Sequence, residues 1–93
     1  MTTRDQIDDP VDGQVRAVLV EALGLSPDRV AGFTDDTPLF GALPELDSMA
    51  VAGMLTELED RTGILIEDDE VDGDMLETFG ALTGFVRRKL ATA

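Results

Sequence analysis

The sequence predicts an all-α protein: a small four-helix bundle of three longer helices and one short third helix, with a long loop between helices one and two. Three observations carry that expectation. Apolar residues recur at helical spacing in separate stretches, glycines stand where two of those stretches stop, and no alternating strand pattern appears. A chain of 93 residues fits one domain with a core only just large enough to fold. Residues 1–10, "MTTRDQIDDP", read as a flexible N-terminal tail, and residues 11–93 as the domain.

Helix one follows from Val11, Val15, Val18, Leu19, Ala22 and Leu23, which share a helical face before Gly24 offers a left-handed stop. The stretch from Leu25 to Asp47 has no sustained period and is long for a connection in a compact domain. Within it, Ser26-Pro27-Asp28-Arg29 combines a cap with proline at a first helical position, which predicts a single turn. Val30, Phe33, Leu39, Phe40 and Leu43 are too apolar to leave in water, so the loop should lie across the bundle and close its core.

Helix two is expected from Ser48 to Thr62, with Ala52, Leu55 and Leu58 on one stripe, Met49, Val51 and Met54 beside it, and Gly63 ending it. Ile64, Leu65 and Ile66 are too short for an independent strand and read as an apolar plug. Acidic residues 67–70 suit the start of a short third helix over about Asp69 to Leu76, where negative charge complements the helix dipole. Thr78 can cap a last helix that buries Phe79, Leu82, Phe85 or Val86, and Leu90, and ends in Arg87, Arg88 and Lys89.

Composition narrows the function. With no cysteine there is no disulfide, thiolate metal cluster or catalytic thiol. With no histidine and a single lysine, Lys89, nucleophilic serine catalysis lacks a base, so an enzyme is not expected. Seven basic and twenty acidic residues give a net charge of -13, which repels phosphate backbones and anionic lipid and argues against nucleic acid or membrane as partner. The same charge favours transient docking to proteins with basic patches, and it also keeps a monomer soluble. The opening residues lack the apolar run of a signal peptide, and no stretch reaches membrane-spanning length, so a cytoplasmic location is expected.

Two motifs invite chemistry. Taking Asp68 as the first position of a calcium loop puts Glu70, Asp72 and Gly73 in register, but Leu76 and Phe79 fall where the closing oxygens belong, so no metal site is assigned. The pair Asp47-Ser48 opens helix two, and either residue could cap it, although the glutamate or glutamine of a capping box is missing for both. From these two residues alone, a cap is sufficient explanation.

Across about residues 12–91 the chain resembles the acyl carrier protein family. The residues that carry the likeness are Leu23-Gly24 at the end of helix one, Leu39 and Leu43 spaced along the loop, and Asp47-Ser48-Met49 as an Asp-Ser-Leu-like signature. "LTELEDRTG", a short apolar link, a small third helix and a final helix follow in the family's order.

The resemblance implies that Ser48 is esterified with 4'-phosphopantetheine, taken from coenzyme A by a phosphopantetheinyl transferase that recognises Asp47. It implies that the arm carries acyl groups as thioesters between acyl-loading ligases, synthases or acyltransferases of fatty acid or polyketide biosynthesis. Leu55, Leu58, Ile64, Ile66 and Leu76 become candidate lining for an acyl pocket, although the same spacing also suits ordinary core.

Two departures from the family stand out. The usual glycine before the aspartate is absent, and "LPELDS" is one residue longer there. Residues Met49 to Thr56 carry no charge, and acid resumes at Glu57, Glu59 and Asp60. Partners are therefore expected to grip the Ser48 end through Met49, Val51 and Met54 and to be steered by Glu57, Glu59, Asp60 and the acids around residues 67–74. The variant signature is similar to carriers associated with bacterial exopolysaccharide and exosortase loci. The alternatives are an aminoacyl or peptidyl carrier of nonribosomal synthesis, and an unmodified acidic helical adaptor in which Asp47-Ser48 is only a cap.

Overall fold

The computed structural model describes residues 10–92, so all of the expected tail except Pro10 lies outside the described residues. Four α-helices follow in order: α1 (Pro10–Leu23), α2 (Pro27–Ala31), α3 (Ser48–Thr62) and α4 (Phe79–Thr92), with a 3-10 turn at Asp68–Glu70 between the last two. Among the described residues there is no strand, only an isolated antiparallel bridge between Pro38 and Thr78. The all-α bundle expected from the sequence is the fold observed.

Helix α1 opens on proline, which loses nothing at a position whose amide has no helical partner. It buries Val15, Val18 and Leu19 and stops at Gly24, whose φ of 73° is the left-handed conformation a glycine adopts without cost. The turn expected after Ser26 is α2: the Ser26 hydroxyl accepts a bond from the Arg29 amide at 3.1 Å, and Val30 is buried beneath it.

Arg16 ties these pieces together. Its guanidinium pairs with Asp12 on the same helix, donates to the Val30 carbonyl and, at 3.0 Å, to the Phe33 carbonyl, and lies 4.6 Å from the centre of the Phe79 ring. Phe33 meets Phe79 edge to face with centroids 6.0 Å apart. One side chain thus reaches two carbonyls at and just beyond the end of α2 while holding α1 against the first turn of α4.

The long loop crosses the bundle as expected and is pinned by backbone hydrogen bonds to the segment entering α4. Leu39 N–H donates to Glu77 at 2.9 Å and Phe40 N–H to Leu76 at 2.9 Å, while Phe79 N–H reaches Thr37 at 2.8 Å and Gly80 N–H reaches Asp35 at 2.9 Å. Leu39, Leu43 and Leu46 drop from this strap into the core. Phe40 does not, and remains 47% exposed, because Leu39 beside it already takes the inward direction.

On α3 the buried stripe is Met54 and Leu58, with Ala50, Val51 and Leu55 half-buried, whereas Ala52 is exposed. The sequence reading placed the stripe roughly one residue too far round. The first two turns are apolar on nearly every side, so their period alone does not choose a face, and packing against α1 and the strap decides it.

The short third helix expected at residues 69–76 is a 3-10 turn followed by a further turn. The Asp72 carboxylate accepts from the Met75 amide at 2.9 Å, offering the backbone an alternative to a helix, and Gly73 adds conformational cost to one. Met75 and Leu76 then plug the core. Glu70 accepts from the Glu67 amide at 2.9 Å and from Lys89 on α4 at 2.9 Å and 3.0 Å. The Thr78 hydroxyl caps α4 by accepting from Ala81 at 3.0 Å, and Phe79, Leu82, Phe85 and Val86 are buried, while Leu90 is 37% exposed.

Two predictions follow from this packing. A methyl at Gly80 would stand 2.8 Å from both the β-carbon and the carbonyl oxygen of Asp35, so Gly80→Ala should destabilise the protein by about 1–3 kcal/mol in thermal melts. Gly53→Ala, with nothing within 4 Å of its added methyl, should not. The hydrogen bond from the Glu67 amide, reinforced by the Lys89 ammonium, holds the Glu70 carboxyl below its usual range. A depressed folded-state value means this support is present above the unfolded value and is lost as pH falls through the folded one. In Lys89→Met the Glu70 carboxyl carbon should titrate at higher pH by NMR, though still below an ordinary glutamate because the amide bond remains.

Candidate functional site

The two residues that compete for the helix cap are separated by geometry. Asp47 has extended backbone, φ -95° and ψ -177°, and its carboxylate accepts from the Ala50 amide at 2.8 Å. Ser48 is the first helical residue; it is exposed, and its hydroxyl makes no hydrogen bond among the described residues. The cap is therefore Asp47, and Ser48 is left with a hydroxyl the fold does not use. It stands at the N-terminus of a 15-residue helix with no acidic residue in the first turn, where unpaired amides and the dipole favour a phosphate. Leu46, 3% exposed, anchors the approach from the core side.

Two grooves begin at Ser48 and share Val51 and Val71. The larger, about 510 Å³, runs down α3 past Ala52 and Leu55 to Thr56 and Glu59, with Asp68 and Ile66 on the opposite wall. The smaller, about 230 Å³, passes under Phe40 to Leu76 and Gly73. Glu59 ties the walls of the larger groove at its far end, its carboxylate accepting from the Ile66 amide at 2.7 Å.

Several expected positions move. Met54, expected as a partner contact, is 0% exposed and belongs to the core, for the packing reason given above. Leu58, also 0% exposed, faces the closed core and not a groove. Ile64, 5% exposed, belongs to the core and borders a different groove, with Leu65 and Lys89. Leu55 and Ile66 do line the large groove and Leu76 the small one. Met49 is 86% exposed, beside Ser48. Of the acids, Glu57 is paired with Arg61 at 3.1 Å, Glu59 is engaged by Ile66, and Asp60 is exposed.

Phe40 and Val71 are the large apolar lining residues that sequence reasoning missed. Val71 had a signal, as the lone apolar residue of the acidic run "EDDEVDGD". Phe40 had only a weak one, adjacency to Leu39 just before a glycine. Among the described residues no group of three or more potential ligands is placed to hold a metal, and no helix is long and apolar enough to cross a membrane.

The comparisons with known proteins bear on this arrangement. Residues 13–86 match the profile of the family described as "phosphopantetheine attachment site". The chain belongs to that family. The fold matches the solution structure of a holo acyl carrier protein from Nitrosomonas europaea, with a TM-score of 0.78 and 38% identity over 87% of this chain and 95% of that one. Among curated proteins none matches significantly. Membership makes the chain a carrier, not an enzyme, with phosphopantetheine as its prosthetic group. The unclaimed hydroxyl at a helix start, opening onto two grooves, fits that group.

Asp47→Ala should cost about 1 kcal/mol of stability through the lost cap, and Asp47→Asn should restore most of it in thermal melts.

Proposed function

We propose that Ser48 is the attachment residue and that the protein presents acyl groups, held on the arm, to successive enzymes of fatty acid or polyketide type in the cytoplasm. The observation that carries this reading is the Ser48 hydroxyl, exposed at a helix N-terminus whose cap is supplied by its neighbour. In the attachment step the Ser48 oxygen attacks the phosphorus of coenzyme A nearest the pantetheine. The new O–P bond forms as the pyrophosphate bond breaks, 3',5'-adenosine diphosphate leaves, and the hydroxyl proton passes to a base of the phosphopantetheinyl transferase. The group supplies a thiol on a long arm, the nucleophile that a chain with no cysteine lacks.

The transferase and the acyl-loading partners dock at this end. Met49 and Phe40 give them apolar contact on either side of Ser48, and Asp47 orients the transferase. Asp60 and the acids of residues 67–74 other than Glu70 steer basic partners from a distance, while Glu57 has its charge matched by Arg61 and Glu70 by Lys89. Val51, Leu55, Ile66 and Val71 line the route a short acyl chain would take, with Leu76 along the smaller branch.

Incubation with coenzyme A and a broad-specificity phosphopantetheinyl transferase should add the mass of one phosphopantetheine, and Ser48→Ala should abolish the gain. No gain under conditions that modify a control carrier would instead indicate an acidic adaptor. Met49→Ala should raise the dissociation rate from the transferase, and Asp60→Lys should slow association and weaken its salt dependence.

A further inference from the structure

The larger groove has a chemically distinct end, and that end sets a condition on what can occupy it. We propose that Glu59 is the specificity-determining residue of this groove, closing its far end and turning away acyl chains that finish in a carboxylate. The proposal rests on attachment at Ser48.

From Ser48 to Glu59 is eleven residues of α3, roughly 16 Å at helical rise. Along that length the apolar sides are Val51, Leu55, Ile66 and Val71. At the end the chemistry changes. Glu59 is half-buried, and its Oε2 accepts from the Ile66 amide at 2.7 Å, a charge-assisted bond that holds the link after Gly63 against the helix and brings the two walls together. Its Oε1 makes no hydrogen bond among the described residues, so a donor arriving along the groove finds an acceptor there.

No basic side chain lines this groove, and Asp68 adds a second acid to its wall. The cations that could neutralise an anionic tail, Arg88 and Lys89, line a separate groove of about 630 Å³, and Lys89 is held by Glu70. A tail ending in carboxylate would leave water to meet like charge with nothing to pair it, which is unfavourable on both counts. A methyl end meets only the apolar sides, and a hydroxyl or amine end can donate to Glu59.

The test uses holo-protein made by a phosphopantetheinyl transferase from coenzyme A analogues with amide-linked six-carbon tails, one methyl-ended and one carboxylate-ended. Loading is verified by mass before amide NMR shifts are compared at pH 7. The methyl-ended tail should shift the Leu55, Ile66 and Val71 amides, whereas the carboxylate-ended tail should leave Ile66 where it lies with the bare arm. Glu59→Gln keeps an acceptor for the Ile66 amide and removes the charge. It should admit the carboxylate-ended tail, raising its sheltered fraction on the order of tenfold. Equal shifts of Ile66 by both tails in the unsubstituted protein, or continued exclusion in Glu59→Gln, would overturn the inference. So would groove amides that neither tail moves although the mass shows the arm attached, and in that case attachment at Ser48 stands. Absence of the mass gain would instead remove the attachment reading, and the inference with it.

Discussion

The guanidinium of Arg16 sits where three parts of the chain meet. The last turn of α2 and the residue beyond its cap present the carbonyls of Val30 and Phe33 to this cation, and the ring of Phe79 begins α4. A planar cation with five donors can bond both carbonyls and stack on the ring at once, with Asp12 balancing its charge. An ammonium could not span that set. From this point the strap runs on to pair with residues 76–80, and it delivers Leu46 and Asp47 to the start of α3. The place of Ser48 in space is thus fixed from the opposite end of the loop.

The excess of negative charge is distributed with the same economy. Several cations hold a carboxylate that joins separate elements or braces a helix: Arg29 with Glu45, Arg61 with Glu21 and Glu57, and Lys89 with Glu70. Glu45 is drawn below its usual carboxyl range by its own backbone bond and then by Arg29. The uncharged first turns of α3 stand apart from this network. Contact with these turns strips no ion of water.

Much of this was legible from residues alone. Gly24 and Gly63 marked two helix ends because only a glycine enters the left-handed region freely, and Ser26-Pro27 and Thr78 announced starts whose hydrogen bonds are present. What was illegible has a common cause, the dependence of one element on another. The apolar side of α3 is chosen by its neighbours, so Met54 and Ala52 exchanged places. Residues 69–76 favour turns because Asp72 competes for a backbone amide, a contest that charge complementarity at a helix start did not reveal. At the candidate site the family signature points to Asp47 and Ser48. Their division of labour required the observed bond from the Ala50 amide, since both are good caps by type.

That division has a thermodynamic meaning. Because the Ser48 hydroxyl holds nothing in place, replacing its proton with a bulkier substituent takes no bond away from the folded state. The Asp47 cap is untouched by a substituent there, while a phosphodiester would gain from the unpaired amides and dipole of the helix start, so by linkage substitution would favour the folded state. Substitution at such a position would therefore not weaken the native conformation.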